Sequence, residues 1–249
     1  MGFEEKLQRL QKRIIRCQKC PRLVDYLKEV EEHRPRRYRD WTYWSKPLPS
    51  FGDPEARVLI VGLAPAANGG NRTGRMFTGD RSGEWLFEAL HRFGFANHPY
   101  SARRDDGFEL KDCYITATIR CAPPDNKPLP EEIENCRPYL LKELDLLKSL
   151  QVIIPLGQLA FTQTLKSLRL KGCQVPSLSF GHGKVYSISK PRTPDSLPRF
   201  YRGEPRTVTL ITTYHPSQQN TLTGKLTRPM FHKIFKMVHS KLRTRNSEL

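Results

Sequence analysis

The run Arg57-Val-Leu-Ile-Val-Gly62 constrains this chain more than any other feature. Consecutive apolar residues without polar alternation suit a strand covered on both faces, the setting of a parallel sheet. The run ends in Gly and opens into a long Gly-rich loop, LAPAANGGNRTGRMFTGD. Residues 82–93 (SGEWLFEALHRF) then carry helical spacing, with Ser82 expected as N-cap. A second strand over 112–120 (DCYITATIR) is followed by a long helix over 129–150, opened by Pro130 and two Glu. A third strand covers 151–156 (QVIIPL), with a short helix in GQLAFTQTL after it. Later strands are expected at 185–189 and 207–213, and a closing basic helix at 227–242. Leu7, Leu10, Ile14 and Ile15 mark an amphipathic helix over residues 3–16, with a second helix at 22–32. The stretch 33–50, rich in Arg, Pro and aromatic residues, reads as a surface loop, and the Pro-rich 189–205 as an inserted loop. Strands alternating with helices predict one α/β domain over residues 1–249, around a largely parallel sheet.

In such sheets ligands bind beyond the carboxyl ends of the strands. Three polar loops fall there: 62–80, 121–128 and 214–225. The first lacks both the GK[ST] ending of a P-loop and the GxGxxG of a dinucleotide fold, which disfavours nucleoside triphosphates. Its glycines would let main chain approach a flat ligand closely. Arg72 and Arg75 are expected to neutralise phosphates, and Phe77 to offer a stacking face. The blander reading is a solvated loop with one buried Phe. His215-Pro-Ser-Gln-Gln-Asn220 follows directly on the strand TVTLITT, where a planar hydrogen-bonding ligand would fit.

Composition narrows the partner. Lys and Arg number 42 against 25 Asp and Glu, a formal charge of +17, and such a field favours polyanions. The apolar runs are short and interrupted by charge, and the N-terminus is charged throughout, so no membrane span is expected and a cytosolic, cytoplasmic protein is. Six cysteines in a reducing compartment read as ligands, catalytic groups or buried thiols rather than disulfides. Cys17 and Cys20 form a CxxC, and Cys121 and Cys136 make a looser pair about a hundred residues on. Four thiolates can hold zinc or a four-iron cluster, and the wide spacing suits the larger group better. Cys113 and Cys173 read as ordinary residues.

The segments GLAPAANGGNRTGRMFTGD and HPSQQN, with Cys17, Cys20, Cys121 and Cys136, together resemble the uracil-DNA glycosylase superfamily, and within it family 5, the type b enzymes. The resemblance covers nearly the whole chain. It implies a central, mostly parallel four-stranded sheet flanked by helices, and a structural 4Fe-4S cluster on those four cysteines. The implied activity is hydrolysis of the N-glycosidic bond of uracil, or of another deaminated base such as hypoxanthine, flipped out of DNA. Phe77 resembles the aromatic on which the flipped base stacks. His215 resembles the histidine that hydrogen-bonds uracil O2 and supports charge on the departing base. Gly62 and Ala64, with Ser217 and Asn220, are implied in substrate binding, and Leu222 or a neighbour in filling the vacated stack.

Two departures qualify the resemblance. Many members carry Asp or Asn in the first motif to place the attacking water, whereas here Ala64 and Pro65 stand there. Asp80 and Asn126 resemble the polar residues family 5 uses in their place. Where several relatives keep a uracil-reading Asn, this chain has Ala117, which implies a broader specificity. The expected partner is DNA bearing deaminated bases, with no membrane; the chain is expected to be a monomer, and a sliding clamp is left open as a partner. A competing reading is a non-catalytic iron–sulfur or zinc DNA-binding module that grips nucleic acid through its charge and the Arg-rich loop 34–46. A Ser/His/Asp hydrolase is weak, since no GxSxG elbow is present. The enzyme reading requires Phe77 and His215 to face one another.

Overall fold

The computed structural model describes residues 3–190 and 207–246, so most of the Pro-rich stretch 189–205 lies outside the described residues. Two helices, α1 (Phe3–Ile15) and α2 (Pro21–Glu32), precede a two-residue strand β1 (Phe51–Gly52). Then follow β2 (Val58–Gly62), the single turn α3 (Gly70–Thr73), α4 (Arg81–Arg92) and β3 (Cys113–Ala117). Next come α5 (Pro130–Leu146), β4 (Val152–Pro155), α6 (Gln158–Leu170), β5 (Val185–Ser189) and β6 (Thr207–Ile211). The short α7 (Gln218–Leu222) and α8 (Arg228–Asn246) complete the order.

The strands form one six-stranded sheet in the order β1-β3-β2-β4-β6-β5. The expected four-stranded parallel sheet is its centre, and the expectation is corrected at both edges. There β1 and β5 add antiparallel pairings to β3 and β6. Strand β2 is paired on both sides, Val58 lying opposite Cys113 and Val152, and Gly62 opposite Ala117. Every residue of β2, β3 and β4 is buried, as the unbroken apolar runs require.

Side chains of β2 alternate between two cores. Val58 and Ile60 join Leu86, Phe87 and Leu90 of α4 and Phe231, Ile234 and Phe235 of α8. Leu59 and Val61 face Leu7, Leu10 and Ile14 of α1 and Phe161, Leu165 and Leu168 of α6. Each such side chain contributes about 1.5–3 kcal/mol when fully buried. A third cluster lies past the carboxyl end of β3, where Leu23 and Leu27 of α2 meet Ile119, Cys121, Ile133 and Cys136. A buried polar network ties α5 to the sheet. Arg120 Nη2 donates to Glu143 Oε2 at 2.6 Å, and Thr116 and Ser50 hydroxyls donate to the two carboxylate oxygens, each at 2.6 Å.

Helix boundaries differ from expectation in several places: α5 ends at Leu146 rather than at residue 150, and α8 runs on to Asn246 rather than stopping at residue 242. The helix in GQLAFTQTL runs on to Leu170. The N-cap of α4 is Asp80, not Ser82: its side chain accepts from the Gly83 N–H at 2.9 Å. Ser82 sits inside the first turn, where its hydroxyl cannot reach back to those amides. Among the described residues no helix is long and apolar enough to cross a membrane.

Candidate active site at the carboxyl ends of the strands

Loop 62–80 leaves the end of β2 and packs inward. Asn71, Arg72, Thr73, Arg75, Met76, Phe77 and Thr78 are all buried, so the solvated-loop reading is excluded. Both arginines expected to neutralise phosphates are engaged within the protein. Arg75 donates to Phe108 O, to Ser101 Oγ and to the Arg103 carbonyl, and pairs with Asp106. Burial would raise the Asp106 pKa, but the Arg103 N–H and the Arg75 guanidinium together hold it below the usual carboxylate range. Arg72 donates from Nε to Asn68 O and from Nη2 to Gly79 O, while its plane lies between the rings of Tyr38 and Trp41. The correction has a plain cause: the partners of both arginines are distant in sequence or are main-chain carbonyls, which no motif displays.

Phe77 adopts a left-handed backbone, φ 59°. For a residue other than Gly this is strained, and the surrounding packing holds it there. Two glycines make that possible. A Cβ at Gly62 would come within 2.9 Å of Phe77 Cζ, and one at Gly83 within 1.5 Å of the Phe77 carbonyl oxygen. The ring thus lies on the end of β2, and the carbonyl lies against the first turn of α4. Across from it stands His215, the two ring centroids 6.1 Å apart and the planes 28° from parallel. Loops from the ends of β2 and β6 therefore meet, as required.

His215 is half-buried. Burial of its imidazole lowers the pKa from 6.5 to about 4, so the ring is neutral at pH 7. Asn220 Nδ2 donates to His215 O at 2.9 Å, and Ser217 Oγ accepts from the Asn220 N–H at 3.4 Å, capping α7. Both residues, expected on the substrate, hold their own loop in shape. Leu222 at the end of α7 is 62% exposed, an uncommon state for a large apolar side chain here. His182, which the sequence did not single out, accepts the Tyr214 N–H on Nδ1 at 3.4 Å and lies 3.2 Å from Thr213 Oγ1. It fixes the two residues before His215, across 31 and 32 positions of sequence.

Asp80 is partly buried beside Phe77. Burial raises its pKa, against the N–H groups of Gly83 and Ser82, which favour the charged form. Its Oδ2 stands where a Cβ on Gly69 would lie 2.6 Å away, so Gly69 makes room for the carboxylate. Asn126 sits in an exposed turn after β3, with φ 57° and Asp125 before it at φ 53°. Among the described residues no hydrogen bond or ring contact ties Asn126 to Phe77 or His215. Ala117 is buried opposite Gly62. Ala64 and Ala67 pack toward Cys20 and the cluster of Cys121 and Cys136.

All six cysteines are free thiols. Cys17, Cys20, Cys121 and Cys136 lie within electrostatic reach of one another. Burial raises the pKa of Cys136 to about 11 and of Cys121 higher still. Donors reach three of the sulfurs: Asn135 Nδ2 to Cys20 at 3.5 Å, the Arg120 N–H to Cys136, and the Tyr139 hydroxyl to Cys17. Among the described residues no three His, Cys, Asp or Glu side chains are gathered tightly enough to hold a metal ion.

The family model described as the uracil DNA glycosylase superfamily matches residues 49–239, from the segment before β1 into α8. The chain belongs to that superfamily. It is 43% identical to the type-5 uracil-DNA glycosylase of Pyrobaculum aerophilum over 215 residues, 86% of this chain and 84% of that one. It is likewise 43% identical to the type-5 enzyme of Thermus thermophilus over 218 residues, covering 88% and 90%. A type-4 uracil-DNA glycosylase of Pyrobaculum aerophilum is more distant, 33% identical over 181 residues, covering 72% and 74%. Within the superfamily the chain is thus one of the type-5 uracil-DNA glycosylases.

Proposed function

We propose that this protein excises uracil from DNA by hydrolysing the bond between base and deoxyribose, leaving an abasic site. The observation that carries the reading is the apposition of Phe77 and His215 at adjacent strand ends, 6.1 Å apart. Binding alone would not require it. A base swung out of the helix costs a few kcal/mol of stacking, which the Phe77 face and contacts to DNA offset. On that face the rim of the base lies toward His215. A neutral imidazole donates one N–H to O2 and supports negative charge as the base departs, without first losing a proton to it. Such preorganised support is worth about 10²–10³ in rate.

The sugar becomes oxocarbenium-like as the bond lengthens, and the Asp80 carboxylate stabilises that charge or orients the water. Asn126 assists from the turn after β3. The small residue Ala117 leaves the base edge unread, which supports acceptance of hypoxanthine and other deaminated bases as well as uracil. Leu222 is the wedge for the vacated stack.

We further propose a 4Fe-4S cluster on Cys17, Cys20, Cys121 and Cys136. Free thiols within electrostatic reach of one another, with N–H and O–H donors at three of the sulfurs, suit thiolate ligation. A four-iron core spans a wider set of sulfurs than one ion does. The cluster would crosslink α2 and α5 to the segment after β3, and through Ala64 and Ala67 brace the first motif. The test is direct. Single-turnover base release is measured on duplexes carrying uracil or hypoxanthine, and iron content and visible absorbance on the purified protein. No release from either duplex defeats the excision reading, and colourless, iron-free protein purified without oxygen defeats the cluster.

A further inference from the structure

The Arg-rich aromatic loop before β1 meets the first motif through Arg72, which lies over the rings of its Tyr38 and Trp41. It borders a cleft of about 610 Å³ lined by Trp41, Arg72, Arg103 and Arg104 and also by the carboxylates of Asp40 and Asp105. Here arginines and aromatic rings alternate. Arg72 lies 4.1 Å from the ring centroids of both Tyr38 and Trp41, Arg103 lies 5.0 Å from Trp41, and Arg104 lies 4.6 Å from Trp44. Arg37 extends the row on Tyr38 at 4.8 Å. Trp44 in turn rests on Gly74, where a Cβ would come within 3.0 Å of the indole. The ladder spans three chain segments: 37–44, α3, and the turn at 103–104.

Arg72 is the inner rung, fastened to Gly79 O immediately before Asp80. Arg103 and Arg104 are exposed outer rungs. Stacking fixes a guanidinium in one plane while leaving its N–H edge free to meet an anion, so little side-chain entropy is lost when the anion arrives. A row of such edges beside the lesion site suits successive phosphates of a nucleic-acid backbone.

We propose that this ladder is a preordered phosphate clamp, in which Arg103 and Arg104 grip the DNA backbone alongside the flipped base and Trp41, Trp44 and Arg72 hold them in position. The proposal rests on the excision reading only for the identity of the polyanion as DNA. Affinity and chemistry are therefore expected to separate.

The experiment uses the full chain. Fluorescence anisotropy gives Kd over a salt series for an undamaged duplex and for one with a tetrahydrofuran abasic analogue. Single-turnover uracil release at saturating enzyme and the thermal midpoint are read in parallel. Arg103→Ala/Arg104→Ala is expected to weaken binding about tenfold or more and to reduce the salt slope by about 2, one for each phosphate that is no longer neutralised. The saturated rate and the midpoint should be unchanged. Arg103→Lys/Arg104→Lys keeps the charge but not the stacked plane, and is expected to remain at least about threefold weaker than wild type. An alanine pair within twofold of wild type at unchanged slope would overturn the clamp. A lysine pair within twofold would overturn its preordering. Wild type that binds with this signature yet releases no uracil would leave the clamp standing and defeat the excision reading.

Discussion

At the scale of single residues, the site depends on groups whose protonation and geometry are set by burial. His215 is held neutral because its ring has lost water, not because a charge opposes it. Its folded pKa of about 4 lies below the ordinary 6.5, so the unfolded chain binds the proton first. Stability from this residue is therefore complete above pH 6.5 and is lost as pH falls from there toward 4. Denaturant midpoints for wild type and His215→Gln across that window should converge in acid, whereas parallel curves would contradict the assignment. His215→Ala is expected to slow single-turnover release about 10²–10³-fold with duplex affinity nearly intact.

Asp80 needs a different design, because it also caps α4. Asn caps about as well as Asp, so Asp80→Asn should slow release while changing stability by less than about 1 kcal/mol. Asp80→Ala should lose both. Equal rates for wild type and the Asn variant would remove Asp80 from the chemistry and leave it a cap alone. The sequence does not display this double duty. Ser82 and Asp80 are both good caps by type, and only the helix start decides between them.

At the scale of elements, β2 and its two parallel neighbours are legible in the sequence because a doubly covered strand leaves an unmistakable apolar run. Strand β1 is not, since two residues, Phe51 and Gly52, carry no periodicity. The first motif is legible as a ligand loop but the role of its arginines is not, because a guanidinium's availability depends on partners such as Asp106 and Phe108. The role of Gly83 is equally hidden. Its reason is the Phe77 carbonyl, where an added methyl would overlap at 1.5 Å. Gly83→Ala should therefore push Phe77 off the end of β2. We expect release to fall at least tenfold, with a KM increase, although Ala is the better helix former by about 1 kcal/mol. A more stable variant with full activity would show that the loop can dock elsewhere.

At the scale of the whole molecule, the charge of +17 points to a polyanion, but not to where it is gripped. Location follows from how distant segments are tied together. Glu143 of α5, with both oxygens in hydrogen bonds to Ser50, Thr116 and Arg120, joins the helix that carries Cys136 to the strand whose end carries Ala117. Both members of the ion pair are buried. Removing one charge leaves the other uncompensated, which costs about 3–5 kcal/mol. Glu143→Gln should lower the denaturation free energy by that order in equilibrium unfolding, and a loss below about 1 kcal/mol would show that water or a rearranged partner replaces the carboxylate.

If Asp80 serves the chemistry as proposed, its place at the N-cap of α4 bears on behaviour on heating. Helix ends fray before helix centres do, and the first turn of α4 takes the carboxylate with it when it opens. Catalysis should then fail several degrees below the temperature at which the sheet melts, and return at once on cooling. On that reading, one turn of helix would set the upper temperature at which the enzyme works.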